Sequence, residues 1–279
     1  MNYKTILVYV DESRHLAKRI DIAVALAISN EAHLVGIACS GISRFFYQSG
    51  EIATTYVVPP FNIDRIYARA NYSLLAFVET VERLGIRSYE KRLVNDEAAS
   101  ALALHARYAD LVIVGQTDLD ESLTATPTDL PEFVTTNCTR PVLVVPNAEV
   151  FQTFGQNILI GWDGSPEATR AVTASISILR LAKIVTLALF NVPRSSEVHG
   201  EEPGADIALY LARHGVTIIV EQFHSKDNIG EAMLSLARTR QIDLIVMGCF
   251  GHSRFREVIM GGVTVTMLKE MPAPLLLSH

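Results

Sequence analysis

The stretch DLIVMGCFGHSRFREVIMGGVT, residues 243–264, decides how the rest of the chain is interpreted. Its apolar run Leu244–Met247 predicts a short buried strand that ends at Gly248. Gly251 follows three residues further on, and nine residues separate it from the pair Gly261–Gly262, which precedes a helical segment. A strand that leads through a glycine loop into a helix presents free backbone N–H groups to an anion, and the helix dipole favours negative charge there. The pattern alone predicts either a tight turn or a phosphate site.

The spacing of these glycines matches neither the Walker A motif nor the dinucleotide motif GxGxxG. It resembles the G-x2-G-x9-G-(S/T) nucleotide motif of the universal stress protein family, here Gly248-x2-Gly251-x9-Gly261-Gly262. Gly262 stands where that family has a hydroxyl side chain, which removes one side-chain contact to a phosphate. The N–H of Gly262 remains, and Thr264 lies nearby in the sequence.

Three signatures occur twice in the chain and in the same order, which indicates an internal duplication. The pairs are 4–13 KTILVYVDES with 156–165 QNILIGWDGS, 110–115 DLVIVG with 243–248 DLIVMG, and 140–144 RPVLV with 273–277 APLLL. We therefore expect two domains, residues 1–146 and 157–279, joined by a linker at Asn147–Gly155.

Strands alternate with helices in each half, among them a predicted strand at His33–Ala38, a helix at Ile63–Leu84 and a strand at Val185–Val192. This alternation predicts an α/β fold with a doubly wound parallel sheet and helices on both faces. The pattern leaves the strand order open, and a flavodoxin-like order is an alternative. The family resemblance covers the whole chain and implies two tandem domains, each with five parallel strands in the order 3-2-1-4-5. It also implies that the domains pair through their last strands, Pro141–Val145 and Pro274–Leu277, which would otherwise be exposed edges.

Ligands of such sheets bind beyond the carboxyl ends of strands, where the winding direction reverses. In the second half this crevice would lie between the strand that ends in Asp163 and the strand that ends at Gly248. Asp163 also has a purely structural alternative, which is to cap the next helix together with Ser165. Val192 and Met247 read equally well as core residues, and Arg254 suits a phosphate because of its guanidinium geometry.

The resemblance implies a nucleotide role for each of these positions. Asp163 would accept a hydrogen bond from the adenine amino group, Val192 would contact the adenine, and Met247 would lie at the ribose. The complete implied set is Gly161, Trp162, Asp163, Val192, Met247, Gly248, Gly251, Arg254, Gly261, Gly262, Val263 and Thr264.

The first half keeps Asp11, but its loop begins Gly115-Gln-Thr-Asp118 and contains no second glycine. Asp118 puts a negative charge where a phosphate would lie, and acidic residues further along the loop would add to the repulsion. We expect this half not to bind ATP in the family manner. It is then either a structural partner or a pocket for another ligand, and the structural role is favoured.

Composition limits the function classes. With 279 residues, 49% of them hydrophobic and 19% charged, the chain is globular, and a net charge of −6 argues against a nucleic-acid partner. Three scattered cysteines give neither a disulfide framework nor a zinc pattern. The sequence shows no membrane-spanning run and no secretory signal, so we expect a cytoplasmic protein.

Two functions from different classes remain. The first is a stress-response regulatory protein that binds ATP or ADP, with or without Mg²⁺, in its C-terminal domain and that forms a homodimer through sheet edges. The second is a structural or interaction protein that works without nucleotide. A weak ATPase is a third alternative, although no catalytic residue is evident. The chain is therefore expected not to be an enzyme.

Overall fold

A computed structural model describes residues 2–41, 63–118, 130–147, 153–192, 202–226, 228–249 and 262–279. The chain forms two compact units, one over Tyr3–Val134 and the other over Thr135–His279 together with the first two residues. The strands and helices of the first unit are, in chain order, β1 Thr5–Tyr9, α1 Leu16–Asn30, β2 His33–Cys39, α2 Ile63–Arg83, β3 Tyr89–Val94, α3 Ala98–His105 with a 3-10 turn Ala106–Tyr108, and β4 Leu111–Gly115. Helix α4 (Leu130–Asn137) begins in the first unit and ends in the second.

The second unit repeats this alternation. Its elements are, in chain order, β5 Val142–Val145, β6 Asn157–Gly161, α5 Pro166–Leu179, β7 Ile184–Phe190, α6 Ala205–Arg213, β8 Ile219–Phe223, α7 Ile229–Thr239, β9 Leu244–Gly248, α8 Gly262–Glu270 and β10 Leu275–Ser278.

Strand pairing confirms the predicted doubly wound sheet. In the first unit β1 pairs in parallel with β2 and β4, and β2 pairs in parallel with β3, which gives the order β3-β2-β1-β4. In the second unit β6 pairs in parallel with β7 and β9, β7 with β8, and β9 with β10, so the order is β8-β7-β6-β9-β10. This is the predicted order 3-2-1-4-5.

The two last strands of the repeats pair with each other, as predicted. β5 and β10 are antiparallel, with Leu143 opposite Leu276 and Val144 opposite Leu275. Every residue of both strands is buried, because the pairing covers edges that would otherwise expose backbone groups. The predicted domain boundary at residue 146 stays a prediction, since β5 is part of the second compact unit.

Burial explains why the strands are apolar throughout. All five residues of β4 and the four residues Ile6–Tyr9 of β1 are buried, as expected for a parallel sheet covered on both faces. One carboxylate in each repeat holds the start of the first strand. Asp110 accepts hydrogen bonds from the backbone N–H groups of Lys4 and Thr5, and Asp243 accepts them from Gln156 and Asn157. The two repeats therefore share these carboxylate–backbone hydrogen bonds as well as their sequence signatures.

No helix within the described parts of the chain is both long and apolar enough to cross a membrane.

Candidate functional site

The candidate site of the second unit lies where the strand order reverses. β6 has β7 on one side and β9 on the other, and Gly161 at the end of β6 is opposite Met247 near the end of β9. The segments that follow these two strands therefore leave the sheet from neighbouring positions at its carboxyl edge. This is the position at which ligands bind in open α/β sheets.

The turn after β6 presents Asp163 to solvent. One carboxylate oxygen, Oδ1, accepts a hydrogen bond from the N–H of Ser165 over 2.9 Å, and Gly164 between them has a φ of +76°. Ser165 caps α5, because its Oγ accepts from the N–H of Ala168 over 3.1 Å. Asp163 thus shapes the turn rather than capping the helix, and it is exposed.

Close packing surrounds the end of β6. A Cβ on Gly161 would lie 2.8 Å from the Cε of Met233, so a larger residue would displace that side chain. Trp162 is half-buried, and its backbone N–H donates to the carbonyl of Ala188 over 3.0 Å. Met247 is only 7% exposed, as a core residue would be.

Gly248 has a structural reason to be glycine. A Cβ at this position would lie 2.4 Å from the backbone N of Ala168 and 2.7 Å from the carbonyl carbon of Glu167. No such contact is possible without moving the first turn of α5. The sequence pattern explained this glycine by a tight turn or by a ligand. The structure shows a further reason, which is the close approach of the α5 backbone.

Cys249 follows Gly248 and is buried. Its N–H donates to the carbonyl of Ser278, and its own carbonyl lies 3.2 Å from Nδ1 of His279. Burial, and after it the Glu167 carboxylate, raise the pKa of the Cys249 thiol to about 12. The thiol is therefore neutral and unreactive at ordinary pH. Within the described ranges, no three His, Cys, Asp or Glu side chains are grouped so as to hold a metal ion.

The helix after the glycine loop, α8, begins at Gly262. Gly262 and Val263 are half-buried, whereas Thr264 in the same turn is buried at 5% exposure. Gly251, Arg254 and Gly261, which the sequence assigned to the phosphate loop, lie outside the described residues.

Val192 does not lie in a strand, which corrects the predicted strand Val185–Val192. β7 ends at Phe190 because Asn191 takes a left-handed conformation with a φ of +52°. The Asn191 side chain then bridges to Ser225: its Nδ2 donates to the Ser225 carbonyl and its Oδ1 accepts from the Ser225 N–H, both over 2.9 Å. Val192 follows this bridge and is half-buried, so it is not part of the sheet core.

The corresponding region of the first unit is filled by an arginine. Arg19 of α1 is 2% exposed, and its Nη1 donates to the carbonyl of Tyr9 over 2.8 Å and to Oδ2 of Asp11 over 3.0 Å. A Cβ on Gly115 would lie 2.0 Å from Nη2 of Arg19. The missing side chain of Gly115 therefore leaves room for a guanidinium. At the same position of the second repeat, the missing side chain of Gly248 leaves room for a helix backbone.

Asp118 is not an isolated negative charge. Its Oδ2 lies 2.7 Å from Nη2 of Arg14 and 3.4 Å from Nε2 of His15. The predicted repulsion assumed an uncompensated carboxylate, and the Arg14 guanidinium compensates it. Nε2 of His15 accepts a hydrogen bond from Nε of Arg14 over 3.0 Å. The other acidic residues of that loop lie outside the described residues.

Arg19 is the residue that the sequence interpretation missed. Its helix reads as an amphipathic segment, and one arginine within it suggests a solvent-exposed position. A signal was nevertheless present, because the aligned signatures of the two repeats place Arg19 opposite Ala171. Ala171 is fully buried in α5, so the equivalent arginine was bound to be buried and paired.

The strand pairing defines a doubly wound α/β protein of two repeats, and in the second repeat β6 and β9 are neighbours at the reversal point. Residues 155–279 match the family model described as the universal stress protein family, and this part of the chain belongs to that family. No curated protein matches the sequence.

Two solved structures share the fold over the full length of the chain. A universal stress protein from Archaeoglobus fulgidus is 13% identical, with 100% of this chain and 96% of the other covered at a TM-score of 0.73. A protein from Pseudomonas aeruginosa, assigned to the universal stress proteins, is 15% identical, with 99% of this chain and 93% of the other covered at a TM-score of 0.62. The first repeat thus has the same fold as the second, although the family model matches only residues 155–279.

Proposed function

We propose that the second repeat binds an adenine nucleotide, ATP or ADP, with or without Mg²⁺, and that its occupancy regulates association with a partner in a cytoplasmic stress response. The observation that carries this proposal is the pairing of β6 with β9, with Gly161 opposite Met247. It brings the Asp163 turn and the start of the glycine loop to adjacent positions at the reversal point of the sheet. Membership of residues 155–279 in the universal stress protein family supports it.

Each residue has a distinct task in this proposal. Asp163 accepts from the adenine amino group with the carboxylate oxygen that does not bind Ser165, and Val192 and Trp162 contact the base. Met247 lies at the ribose. The phosphates bind to backbone N–H groups of the glycine loop and of the first turn of α8, where the helix dipole favours negative charge. The residues assigned to the phosphates are Gly248, Gly251, Arg254, Gly261, Gly262, Val263 and Thr264.

The chain contains one tryptophan, Trp162, and it lies in the proposed site, which makes a direct assay possible. We expect ATP with Mg²⁺ to change Trp162 fluorescence in the nucleotide-stripped protein, and calorimetry to give one nucleotide per chain. Asp163→Ala should weaken binding about tenfold or more, the value of a charge-assisted hydrogen bond. Asp21→Ala, which removes an exposed carboxylate from α1 of the other repeat, should leave the affinity unchanged. Absence of binding, or equal affinities of wild type and Asp163→Ala, would refute the site assignment.

A second candidate function is that of an interaction protein that needs no nucleotide. The observation that favours it is the contact of Gly248 with the first turn of α5, since this contact explains the glycine without any ligand. The missing hydroxyl at Gly262 points the same way. Titrations with ATP, ADP and AMP that all lack heat and any fluorescence change would establish this alternative over the nucleotide proposal.

A homodimer through sheet edges also remains a proposal. Because β5 and β10 pair with each other, such a dimer would use β3 or β8, which end the strand orders of their units. Sedimentation of the wild type beside a variant with Ile219→Lys, which charges an exposed apolar residue of β8, tests the β8 edge.

A further inference from the structure

We propose that Arg19 is a built-in ligand of the first repeat, whose guanidinium takes the position that the adenine amino group is proposed to take in the second repeat. The first repeat is then closed to nucleotides by its own side chain. Removal of that side chain opens a site at Asp11 for a planar ligand with an amino group. The inference rests on the role proposed for Asp163, and four observations carry it.

The first observation is that both repeats build the same turn around a carboxylate. Oδ1 of Asp163 accepts a hydrogen bond from the N–H of Ser165 over 2.9 Å. In the first repeat, Oδ1 of Asp11 accepts a hydrogen bond from the N–H of Ser13 over 3.1 Å. The aligned signatures place these two pairs of residues at the same positions. One oxygen of each carboxylate therefore holds the turn, and the other oxygen, Oδ2, remains for a donor.

The second observation is that this remaining oxygen is used differently in the two repeats. Oδ2 of Asp163 has no hydrogen-bond partner within the described residues, and Asp163 is exposed. Oδ2 of Asp11 accepts a hydrogen bond from Nη1 of Arg19 over 3.0 Å. The pair is enclosed, with 12% of the Asp11 side chain and 2% of the Arg19 side chain exposed. A ligand that approaches the first repeat therefore finds this acceptor already bonded to an internal donor.

The third observation is the chemical type of that donor. Nη1 of Arg19 is a planar –NH₂ group on an sp² carbon, as the amino group of adenine is. It donates to Asp11 and also to the carbonyl of Tyr9, over 2.8 Å, so each of its two hydrogens has an acceptor. The Nε of Arg19 is buried without a partner in the described part of the chain. Because buried N–H groups are nearly always paired, the guanidinium is placed for the acceptors at the end of β1 and not for the use of all its donors.

The fourth observation is the room made for the guanidinium at the reversal point of the first repeat, where β1 lies between β2 and β4. A Cβ on Gly115 at the end of β4 would lie 2.0 Å from Nη2 of Arg19, so the guanidinium rests directly against this strand. The residue aligned with Arg19 in the second repeat is Ala171, whose side chain has no donor. The second repeat thus leaves Oδ2 of Asp163 to an external donor.

The experiment uses the full-length chain and two probes, ethylguanidinium and adenosine. Ethylguanidinium is the fragment that Arg19→Ala removes. Adenosine has the amino group but no phosphates, so it does not require a glycine loop in the first repeat. Asp163→Ala is the common background, because it disables the site proposed in the second repeat. Arg213→Ala is the matched control, since Arg213 is an exposed arginine of α6, and tetramethylammonium is the control cation without N–H donors.

We expect Arg19→Ala to bind one molecule of either probe per chain, at least about tenfold more tightly than the background protein by calorimetry. Ethylguanidinium should also raise the thermal midpoint of this variant, by about 5 °C at about ten times its dissociation constant. A partly unfolded variant should regain its circular dichroism when the probe is added, so the test does not require a fully stable protein. A further Asp11→Ala substitution should abolish both gains. Neither Arg213→Ala nor tetramethylammonium should produce one.

Binding of neither probe to Arg19→Ala would overturn the proposal, and so would gains that survive Asp11→Ala. Binding of ethylguanidinium without adenosine would also overturn it, because Arg19 would then be a structural ion-pair partner and not a substitute for a nucleobase. The function proposed for the second repeat is tested separately, by nucleotide binding to the chain with Asp163 intact. Its failure would appear there and not in the comparison of Arg19→Ala with its background.

Discussion

The contact of Gly115 with Arg19 allows a stringent test of how the first repeat is built. The perturbation is Gly115→Ala, whose new Cβ would lie 2.0 Å from Nη2 and 2.8 Å from Cζ of Arg19. Ordinary contacts of a Cβ begin at 3.4 Å, so the guanidinium has to move by more than an ångström. Such a displacement breaks its hydrogen bonds of 2.8 Å to Tyr9 and 3.0 Å to Asp11.

The expected loss follows from those two bonds. Hydrogen bonds to charged groups contribute roughly 1.5–3 kcal/mol each, and water will partly solvate Asp11 once it is released, because its side chain is 12% exposed. We therefore expect Gly115→Ala to lower the free energy of unfolding by about 3 kcal/mol. Arg19→Ala should lower it by about 3–5 kcal/mol, since it leaves Asp11 without its partner.

The decisive quantity is the coupling between the two substitutions. Once Arg19 is alanine, the Cβ at position 115 meets no guanidinium, and Gly115→Ala should cost less than about 0.5 kcal/mol in that background. The double variant would then be about as stable as Arg19→Ala alone, and the coupling energy would be about 3 kcal/mol.

Urea denaturation followed by far-ultraviolet circular dichroism measures these values, and the fluorescence of Trp162 reports separately on the second repeat. Gly85→Ala is the control. Gly85 has a φ of +83° and no atom within 4 Å of an added Cβ, so its substitution should cost about 1 kcal/mol from backbone strain alone and should add to Arg19→Ala. Additive losses for Gly115→Ala and Arg19→Ala would refute the reasoning.

Three further predictions concern the strand pairing, the glycine loop and the thiols. Leu143→Pro should break the antiparallel pairing with Leu276 and destabilise the second unit by about 3 kcal/mol or more, as seen in a lower urea midpoint of Trp162 fluorescence. Gly262→Ser should strengthen ATP binding about tenfold by calorimetry, because it restores a hydroxyl at the start of α8. The three cysteines should resist a thiol reagent at pH 8 in the native protein and react promptly in guanidinium, since burial raises their pKa values from 9.0 to about 12 for Cys39 and Cys249 and about 11 for Cys138.

The thiol prediction has a definite sign and pH dependence. A raised pKa lowers the thiolate fraction, so at pH 8 a thiol of pKa about 12 has roughly a thousandth of the thiolate of an unfolded cysteine of pKa 9.0. The native rate should rise about tenfold per pH unit up to the raised pKa. A native rate equal to the unfolded rate would contradict the burial of these thiols.

The other two predictions can also fail. An unchanged urea midpoint for Leu143→Pro would contradict the β5–β10 pairing. An unchanged or weakened affinity for Gly262→Ser would contradict the phosphate position assigned to Gly262.

Element types were accessible to sequence reasoning, because a parallel sheet imposes continuous apolar runs on the chain. The strand order was implied by the family resemblance and not by these runs. The strand predicted at His33–Ala38 is His33–Cys39 in the structure, and the helix predicted at Ile63–Leu84 is Ile63–Arg83. The strand predicted to reach Val192 ends two residues earlier, since Asn191 takes a positive φ that apolar patterning does not reveal. The periodicity of apolar residues therefore does not predict the backbone conformation at strand ends.

The site was less accessible because its residues are defined by contacts between segments distant in sequence. The strands that lead to Asp163 and Gly248 were predicted to be neighbours, and the pairing of β6 with β9 confirms this. The first of these strands ends at Gly161, two residues before Asp163. Arg19 was missed, since nothing local distinguishes a buried arginine from an exposed one on an amphipathic helix. Only comparison with Ala171, and then the contact with Gly115, shows that it is part of the core.

The two equivalent glycines show why a glycine alone does not identify a ligand site. Gly115 makes room for the Arg19 guanidinium, and Gly248 makes room for the backbone of Glu167 and Ala168. Both glycines are required by contacts within the protein, so substituting either one damages the fold whether or not a nucleotide binds. Asp163 is the better test of function, because it is exposed, and Ser165 continues to cap α5 when its carboxylate is removed. A loss of nucleotide affinity in Asp163→Ala, with an unchanged urea midpoint, would therefore report on the ligand and not on the packing of the strands.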